Sequence, residues 1–371
     1  MPTIDLQAKI IPPTQNVWFV RPGKDYKLYQ AFINYNMILA DLPSLDLRSG
    51  VTLAQQPQLI NRIHRSRAIR KWYRGDREDS FPSRNLNAYP DTVRDGGISQ
   101  LNSVVERYFS EARRDDIVLV IPGAYTSDAY VGALTEDPQE IVSLSLEYMY
   151  SSEPLQGRRV EWLGKTAKKT LANPILEIAA KPNAFVRLGP ELRRDIYELA
   201  YPGFVWGDDT NARFNVTSSE YTSYDDFLIQ GFFNFVSSNT RAIAEGNPHN
   251  VQGFRLAAFE RAGEYTPDLK TDINSPGYLN LSSTKVVPLV VAALFVAAVE
   301  IGPSAQPAAE AGTLRIGNSL AAADDACVAE VERLALQQLI LLGADGWAEA
   351  CEKARHSADR NGLRGPARVR R

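Results

Sequence analysis

Cysteine, histidine and net positive charge are scarce in this chain. Its 371 residues include two cysteines, Cys327 and Cys351, which argues against a disulfide framework and favours a reducing compartment. The three histidines, His64, His249 and His356, lie far apart and lack the spacing of zinc ligands. The formal net charge of −3 argues against a generally basic, histone-like protein, so a nucleic-acid site would have to be a local patch.

Recognisable catalytic motifs are also absent. The sequence contains no phosphate-binding loop, no dinucleotide-binding glycine pattern and no nucleophile elbow. We therefore predict no cofactor, no catalytic residues and no metal ligands, and a binding role rather than an enzymatic one. The nearest approach to a metal-nuclease motif is Asp268 in the stretch PDLK at 267–270, which leaves a metal-dependent nuclease open as an alternative.

Long apolar runs are rare as well. The N-terminus lacks a basic start followed by an apolar core, so we expect no secretory signal and a cytoplasmic protein. The uncharged run at 286–299 is shorter than the ~20 residues of a bilayer span, and runs of its length are more often buried helices. A membrane anchor through 286–299 stays open as the alternative.

The remaining composition is typical of a globular α+β protein. An apolar fraction of 44% and the length of the chain predict more than one domain. We expect a first domain at 15–200, an α+β domain of unknown role at 201–302, and C-terminal helices at 303–355 that break at Gly343. The basic tail at 356–371 has no apolar period and is predicted to be disordered.

The part after residue 201 contains a long amphipathic helix. Ser223, with Asp226 three residues later, predicts a capping box at its start. Gly246 is expected to end it.

The first domain contains a helix that leads into a hairpin. Apolar residues at helical spacing follow Ser99, and the two short apolar runs at 117–121 and 130–134 predict paired strands. Asp115 and Asp116 mark the start of the first strand. Loops between strands concentrate ligand-binding groups, so the loop that opens with Pro122 and Gly123 supplies four candidate ligand-binding residues: Tyr125, Thr126, Ser127 and Asp128. A turn residue is the alternative role for the last of these.

Two tryptophans are further candidates for the walls of a ligand pocket. Trp18 and Trp162 both lie in predicted strands of the first domain. Flipped bases are commonly held between aromatic faces, which favours a role in base recognition. Because both strands are apolar, a place in the hydrophobic core is the alternative for each.

A basic, aromatic stretch at 62–77 is the strongest candidate for contact with nucleic acid. Arginine forks suit phosphate oxygens, and aromatic faces suit stacked bases. The alternative is a solvated helix whose arginines cover its outer side. The predicted nucleic-acid-binding residues are Arg62, Arg65, Arg67, Arg70, Lys71, Trp72, Tyr73 and Arg74, and Arg77 extends the stretch.

Four segments of the first domain together resemble a known family. They are VWFVRPG at 17–23, SQLNSVVERYFSEARRDDIVLVIPG at 99–123, AYVGAL at 129–134 and RRVEWLG at 158–164. In their order and spacing they resemble the PUA-like N-terminal domain of Mrr-type restriction endonucleases, a relative of EVE and YTH-type readers of modified bases. The resemblance covers about residues 15–190.

The resemblance implies both a fold and a function for the first domain. Such domains are mixed β-barrels that bind nucleic acid or a single base in a pocket at the strand ends, and they recur in prokaryotic defence proteins. This sequence departs from the pattern in three ways: the usual Gly-Asp is Asp115-Asp116, an insertion lies at about 78–97, and nothing downstream is similar to the nuclease core.

Two hypotheses therefore accompany the nuclease alternative. The first is a nucleic-acid or nucleotide-sensing protein of prokaryotic antiviral defence, with DNA, RNA or a nucleotide as ligand and a protein effector as partner. The second is a membrane-linked effector that a small nucleotide controls. The sequence leaves the oligomeric state open.

Overall fold

The chain has the expected α+β architecture. The computed structural model describes residues 1–75, 80–93, 95–181, 184–272, 277–322 and 325–370. Its sheets are mixed and curled, and the architecture includes a half-barrel. The chain forms two compact units, which we name the middle unit (Thr14–Ala200) and the terminal unit (Met1–Pro13 with Tyr201–Arg371). The first thirteen residues thus belong to the same unit as the C-terminal part of the chain.

Strands and helices alternate irregularly along the sequence. The strands are, in chain order, β1 (Thr3–Asp5), β2 (Lys9–Ile11), β3 (Val17–Val20), β4 (Met37–Leu39), β5 (Ile117–Val120), β6 (Asp128–Leu134), β7 (Val142–Ser145), β8 (Pro154–Ala167), β9 (Phe185–Arg187), β10 (Gly203–Trp206), β11 (Asp209–Val216), β12 (Asp268–Asp272), β13 (Gly277–Ser283), β14 (Arg315–Gly317) and β15 (Arg368–Arg370). The helices are α1 (Tyr29–Tyr35), α2 (Leu59–Tyr73), α3 (Gly96–Glu106), α4 (Glu147–Tyr150), α5 (Asn173–Ala180), α6 (Pro190–Ala200), α7 (Ser223–Ala244), α8 (Phe254–Ala257), α9 (Val287–Val296), α10 (Ala305–Glu310) and α11 (Ala326–Asn361).

The middle unit is built on one seven-stranded sheet. Its strand order is β4-β8-β6-β5-β3-β9, and β7 also pairs with β8. The predicted hairpin is confirmed, because β5 and β6 are antiparallel with Leu119 opposite Val131. A bulge between Val131 and Gly132 interrupts the pairing of β6 with β8. A side chain at Gly132 would lie 2.4 Å from the Val160 side chain, so the close approach at the bulge requires glycine.

Asp116 joins the start of β5 to β3. Its buried carboxylate accepts hydrogen bonds from the Asn16 amide at 2.8 Å, the Trp18 indole at 2.9 Å and the Arg113 amide at 3.0 Å. Three charge-assisted bonds offset the cost of burying the carboxylate. They also set the parallel register in which Val17 lies opposite Ile117.

Arg158 is an unexpected core residue of β8. Its side chain is fully buried, and its guanidinium donates to the carbonyls of Tyr108 and Ala112, both at 3.0 Å. These carbonyls lie at the end of the helical segment that continues α3 through a π-helical turn at Arg107–Glu111. Burial lowers the pKa of Arg158 to about 10, and the guanidinium occupies the end of the segment where a cation is favoured.

The terminal unit contains the apolar run at 286–299. All ten residues of α9 are buried in a core shared with α7 and α11. Val287–Glu310 is the one helical stretch among the described residues that is long and apolar enough to cross a membrane, and 72% of its apolar window is buried inside the structure. The structure therefore favours the buried-helix interpretation of this run over the membrane anchor.

The cap of α7 differs from the predicted one. The capping box joins Thr222 and Asp225, whose carboxylate accepts from the Thr222 amide at 2.8 Å. The predicted pair of Ser223 and Asp226 has the same spacing but is wrong by one residue, because Ser223 is already the first residue of the helix and Thr222 is the extended residue before it. The Asp226 carboxylate is consequently free of the capping role.

The C-terminal tail is ordered, so the prediction of disorder at 356–371 is wrong for its described residues. Leu363 and Ala367 are buried, and β15 pairs with β1 in a three-stranded sheet with β14. The buried carboxylate of Asp5 accepts a hydrogen bond from the Ser319 amide at 2.9 Å and forms an ion pair with the Arg370 guanidinium at 2.5 Å. The partner that orders the tail lies at the opposite end of the sequence, where composition cannot indicate it.

Asp116→Asn should lower the free energy of unfolding by about 1–3 kcal/mol, because one buried donor would then face an amide NH₂ group. Asp115→Asn is the matched control, since Asp115 is exposed, has φ +67° and adopts a backbone conformation that asparagine tolerates. We expect the control to change stability by less than about 0.5 kcal/mol. Urea unfolding measures both, and equal midpoints for the two variants would contradict the role given to Asp116.

Asp5 should make stability depend on pH in the acid range. Burial opposes its ionisation, but hydrogen bonds from Ser319 and Gln7 and the charge of Arg370 outweigh burial and lower its pKa. The stabilisation is present above the ordinary pKa and is lost as pH falls below about 4. The difference in unfolding free energy between wild type and Asp5→Asn should therefore shrink from pH 6 to pH 3. Asp345→Asn, at an exposed position, should track wild type throughout.

Candidate anion-binding site

The arginines near the start of α2 are held by their own unit. Arg65 is buried, forms an ion pair with Asp46 and donates to the carbonyl of Ser44 at 2.7 Å. Arg62 donates to the carbonyls of Pro57 at 2.9 Å and Asp46 at 2.7 Å. These donors fix the segment that precedes α2, so we leave Arg62 and Arg65 out of the site.

The other arginines and the lysine of α2, together with Arg74 directly after it, form two pairs at a spacing of four residues. Arg67 and Lys71 line one cavity, which we name the α2 cavity. Arg70 and Arg74 line a second cavity, which we name the strand-end pocket. A spacing of four residues places each pair on one side of the helix. The predicted patch is therefore divided between two cavities, and Arg77 lies outside the described residues.

The strand-end pocket lies where β3 and β4 end. Its volume is about 160 Å³. Four of its side chains are cationic and one is a carboxylate. The lining residues are Arg21, Gly23, Lys24, Leu39, Asp41, Arg70, Arg74, Val104, Tyr108 and Ala184. The cavity therefore carries a surplus of positive charge inside a protein whose net charge is negative.

Asp41 orients the cations of the strand-end pocket. Its side chain pairs with Arg74 and accepts from the Tyr150 hydroxyl at 2.5 Å, while its carbonyl accepts from Arg70 at 3.0 Å. Burial lowers the pKa of Arg70, and burial together with Asp41 raises the pKa of Tyr150. Since a guanidinium has five donors, both arginines retain donors for a ligand.

Gly23 allows the chain to turn sharply at the mouth of this pocket. Its φ is +69°, a left-handed conformation that favours glycine. A side chain here would contact Leu28 at 3.2 Å and the Asp41 carboxylate at 3.3 Å. β3 ends at Val20, shortly before this turn.

The loop at 122–128 is tied to the end of β8. The Lys168 ammonium donates to the carbonyls of Pro122 at 2.9 Å and Gly123 at 3.0 Å. Burial lowers the pKa of Lys168, and the charge of Arg21 adds to this effect. Asp128, which was a candidate acceptor for a base, forms an ion pair with Lys165 at 3.0 Å.

Tyr26 connects this loop to the strand-end pocket. Its ring packs on Gly123, where an added side chain would approach it to 2.8 Å, and the Arg21 guanidinium lies 5.4 Å from its centroid. Tyr125 is 60% exposed, and Thr126 is also exposed, whereas Ser127 is half-buried. The structure thus brings the predicted loop and the Arg70–Arg74 pair to the same end of the sheet.

The two tryptophans do not form a shared pocket. Trp18 is a core residue: it is buried, its ring stacks on Phe185 at 5.1 Å, and its indole nitrogen is bonded to Asp116. The structure thus favours the core alternative for Trp18 over a place in a pocket wall. Trp162 is half-buried and contacts Tyr130 edge-on at 5.6 Å. Neither ring lines the strand-end pocket or the α2 cavity.

The α2 cavity combines aromatic walls with cations. Its volume is about 670 Å³, and its walls include Trp72, Phe81 and Tyr89. The rings of Trp72 and Phe81 lie 5.0 Å apart at 70°. Arg67 is paired with Asp95, whereas Lys71 is exposed. Tyr73 does not line this cavity but supports its walls: its ring lies edge-on to Trp72 at 4.9 Å and to Phe81 at 6.2 Å, and also to Tyr150 at 5.7 Å.

Sequence reasoning missed the residues that complete the strand-end pocket. Arg21 and Lys24 follow β3, and Asp41 follows β4. The position of Arg21 directly after the predicted apolar strand that contains Trp18 was a signal that could have identified it, because binding groups concentrate in such loops.

Among the described residues, no geometry supports the nuclease alternative. Asp268 lies exposed at the start of the edge strand β12. Within the described ranges, no group of three or more His, Cys, Asp or Glu side chains could hold a metal ion.

Lys168→Met should loosen the loop at 122–128. The variant loses both hydrogen bonds to the loop carbonyls, so we expect faster amide exchange there. Hydrogen–deuterium exchange with mass spectrometry measures the change. Lys169→Met is the matched control, because Lys169 is an exposed neighbour. Similar exchange in the two variants would contradict the anchoring role of Lys168.

Comparisons with known proteins do not assign a function to this site. No family model matches the chain, and neither a curated protein nor a solved structure matches it. The function of the strand-end pocket therefore has to be argued from its own chemistry.

Proposed function

We propose that the middle unit binds a phosphate-bearing ligand, a nucleotide or the end of a nucleic acid, with a phosphate in the strand-end pocket. The observation that carries this proposal is the set of four cationic side chains and one carboxylate around a single small cavity. Arginine guanidinium groups match phosphate oxygens in two-pronged hydrogen bonds.

The pocket is large enough for a phosphate group but too small for a whole nucleotide. Sites that enclose a complete small molecule have volumes of about 300–1,000 Å³, and this pocket is smaller, at about 160 Å³. A phosphate group fits such a space, while the sugar and base would lie outside it.

The surface beside the pocket suits the remainder of such a ligand. Tyr26 and the exposed Tyr125 lie on the loop side, and base–aromatic stacking stabilises binding by about 1–3 kcal/mol per base. The α2 cavity offers a second aromatic surface, and its volume lies within the range of whole-ligand sites. Single-stranded nucleic acid or a nucleotide fits this combination better than a duplex, whose bases are not exposed for stacking.

The resemblance to PUA-like readers supports the same proposal, because those domains hold bases at strand ends. A PUA-like identity for the middle unit, and a role in antiviral defence with an effector partner, rest on that resemblance alone. The membrane-linked alternative is not favoured, since α9 is buried in the terminal unit.

Arg74→Gln in the full chain tests the proposal. The probes are fluorescein-labelled twelve-nucleotide thymidine strands with either a 5′-phosphate or a 5′-hydroxyl, and the measurement is fluorescence anisotropy. We expect wild type to prefer the phosphorylated strand and to lose affinity as salt rises. The variant should bind that strand at least about tenfold more weakly, because it loses a hydrogen bond to a charged group.

Arg114→Gln is the control, because Arg114 also forms an ion pair with a carboxylate but lies before the start of β5, at the end of that strand opposite the loop at 122–128. It should bind within twofold of wild type. Equal affinity of wild type and Arg74→Gln, or an affinity that does not change with salt, would reject the strand-end pocket as a phosphate site.

A further inference from the structure

We infer that the terminal unit holds a second ligand site, of opposite charge preference, for a small organic cation with an apolar group. The site is a cavity of about 480 Å³ between α7, the segment that follows α8, and strands β12 and β13. Its volume lies within the range of about 300–1,000 Å³ that encloses a complete small molecule. We name it the Asp226 cavity.

Aromatic side chains form the walls of the Asp226 cavity. Phe233 is buried at its base, whereas Phe227 and Phe259 are 47% and 72% exposed. The exposed pair lies with ring centroids 5.9 Å apart and planes inclined by 39°. Large aromatic side chains that remain this exposed beside a cavity are typical of binding sites.

Asp226 is the one charged side chain among the described residues that line this cavity. Its two oxygens accept from the Tyr221 hydroxyl at 3.0 Å and the Gln230 amide at 2.7 Å. No described Lys, Arg or His forms an ion pair with it. The neighbouring Asp225, by contrast, is buried and lies 2.9 Å from the Arg360 guanidinium. The Asp226 carboxylate therefore keeps an uncompensated charge and spare acceptor capacity.

Asn234 adds to the acceptor character of the Asp226 cavity. Its NH₂ group donates to the carbonyls of Ala258 at 2.8 Å and Glu260 at 2.9 Å. Both side-chain donors are thus occupied, and the carbonyl oxygen is the group left for a ligand. Because the carboxylate and the amide oxygen are both acceptors, the cavity favours a ligand that donates hydrogen bonds.

A protonated amine attached to an apolar or aromatic group meets each of these requirements. The ammonium would pair with Asp226, and a cation beside an aromatic face gains about 0.5–2 kcal/mol. The apolar part would contact Phe227 and Phe259. An anion would be repelled by Asp226, and a neutral apolar ligand would leave the carboxylate unpaired.

The test uses the full chain and two probes of similar shape. Phenethylamine is a cation at neutral pH, and 2-phenylethanol is its neutral counterpart. Isothermal titration calorimetry should show binding of the amine and at least tenfold weaker binding of the alcohol. Asp226→Asn should reduce the amine to the affinity of the alcohol, and Asp345→Asn, at an exposed position, should leave it unchanged.

A second variant keeps the test informative if Asp226→Asn perturbs the fold. Phe259→Ala removes a mostly exposed ring, so it should fold normally and weaken amine binding. Equal affinity for the two probes, no amine binding up to 10 mM, or unchanged binding in both variants would overturn the inference. A concentration-dependent dimer in sedimentation velocity that Phe259→Ala abolishes would also overturn it, because the aromatic pair would then serve a second copy of the chain.

Discussion

Asp116 accepts three hydrogen bonds at the start of β5, and two of them come from the strand beside it and the residue just before that strand. A buried carboxylate without such partners would cost several kcal/mol, so its partners must be in place before the sheet is stable. The parallel pairing of β3 with β5 follows from this requirement. The ends of both strands, where the loop at 122–128 and the strand-end pocket lie, are positioned by the same pairing.

Carboxylates also determine which cations are available to a ligand. Along α2 the arginines are chemically alike, but Asp46 and nearby carbonyls engage Arg62 and Arg65, and Asp95 engages Arg67. Asp41 holds Arg70 and Arg74 at the wall of a cavity instead. The pattern of acids elsewhere in the unit, rather than the density of arginine, therefore selects the candidate phosphate contacts.

The net charge of −3 does not predict the charge of either candidate site. The middle unit has a small cavity with a surplus of cations, and the terminal unit has a larger aromatic cavity with a single unpaired carboxylate. In each unit, folding brings side chains from several helices, strands and loops to one cavity, and this sets the charge of the cavity.

Features with a local cause were determined by the sequence alone. The hairpin of β5 and β6 follows from two short apolar runs, and the break at Gly343, where φ is +64°, follows from a single residue type. Run length favoured a buried α9 but left the membrane anchor open, and the structure favours burial. Features that depend on a distant partner were decided only by tertiary structure. Order in the tail needed Asp5, the core position of Trp18 needed Asp116, and the strand-end pocket needed five separate segments. The physical reason is that a side-chain hydrogen bond or ion pair to a distant residue leaves no periodic pattern in the sequence. Its partner can therefore be identified only in the folded structure.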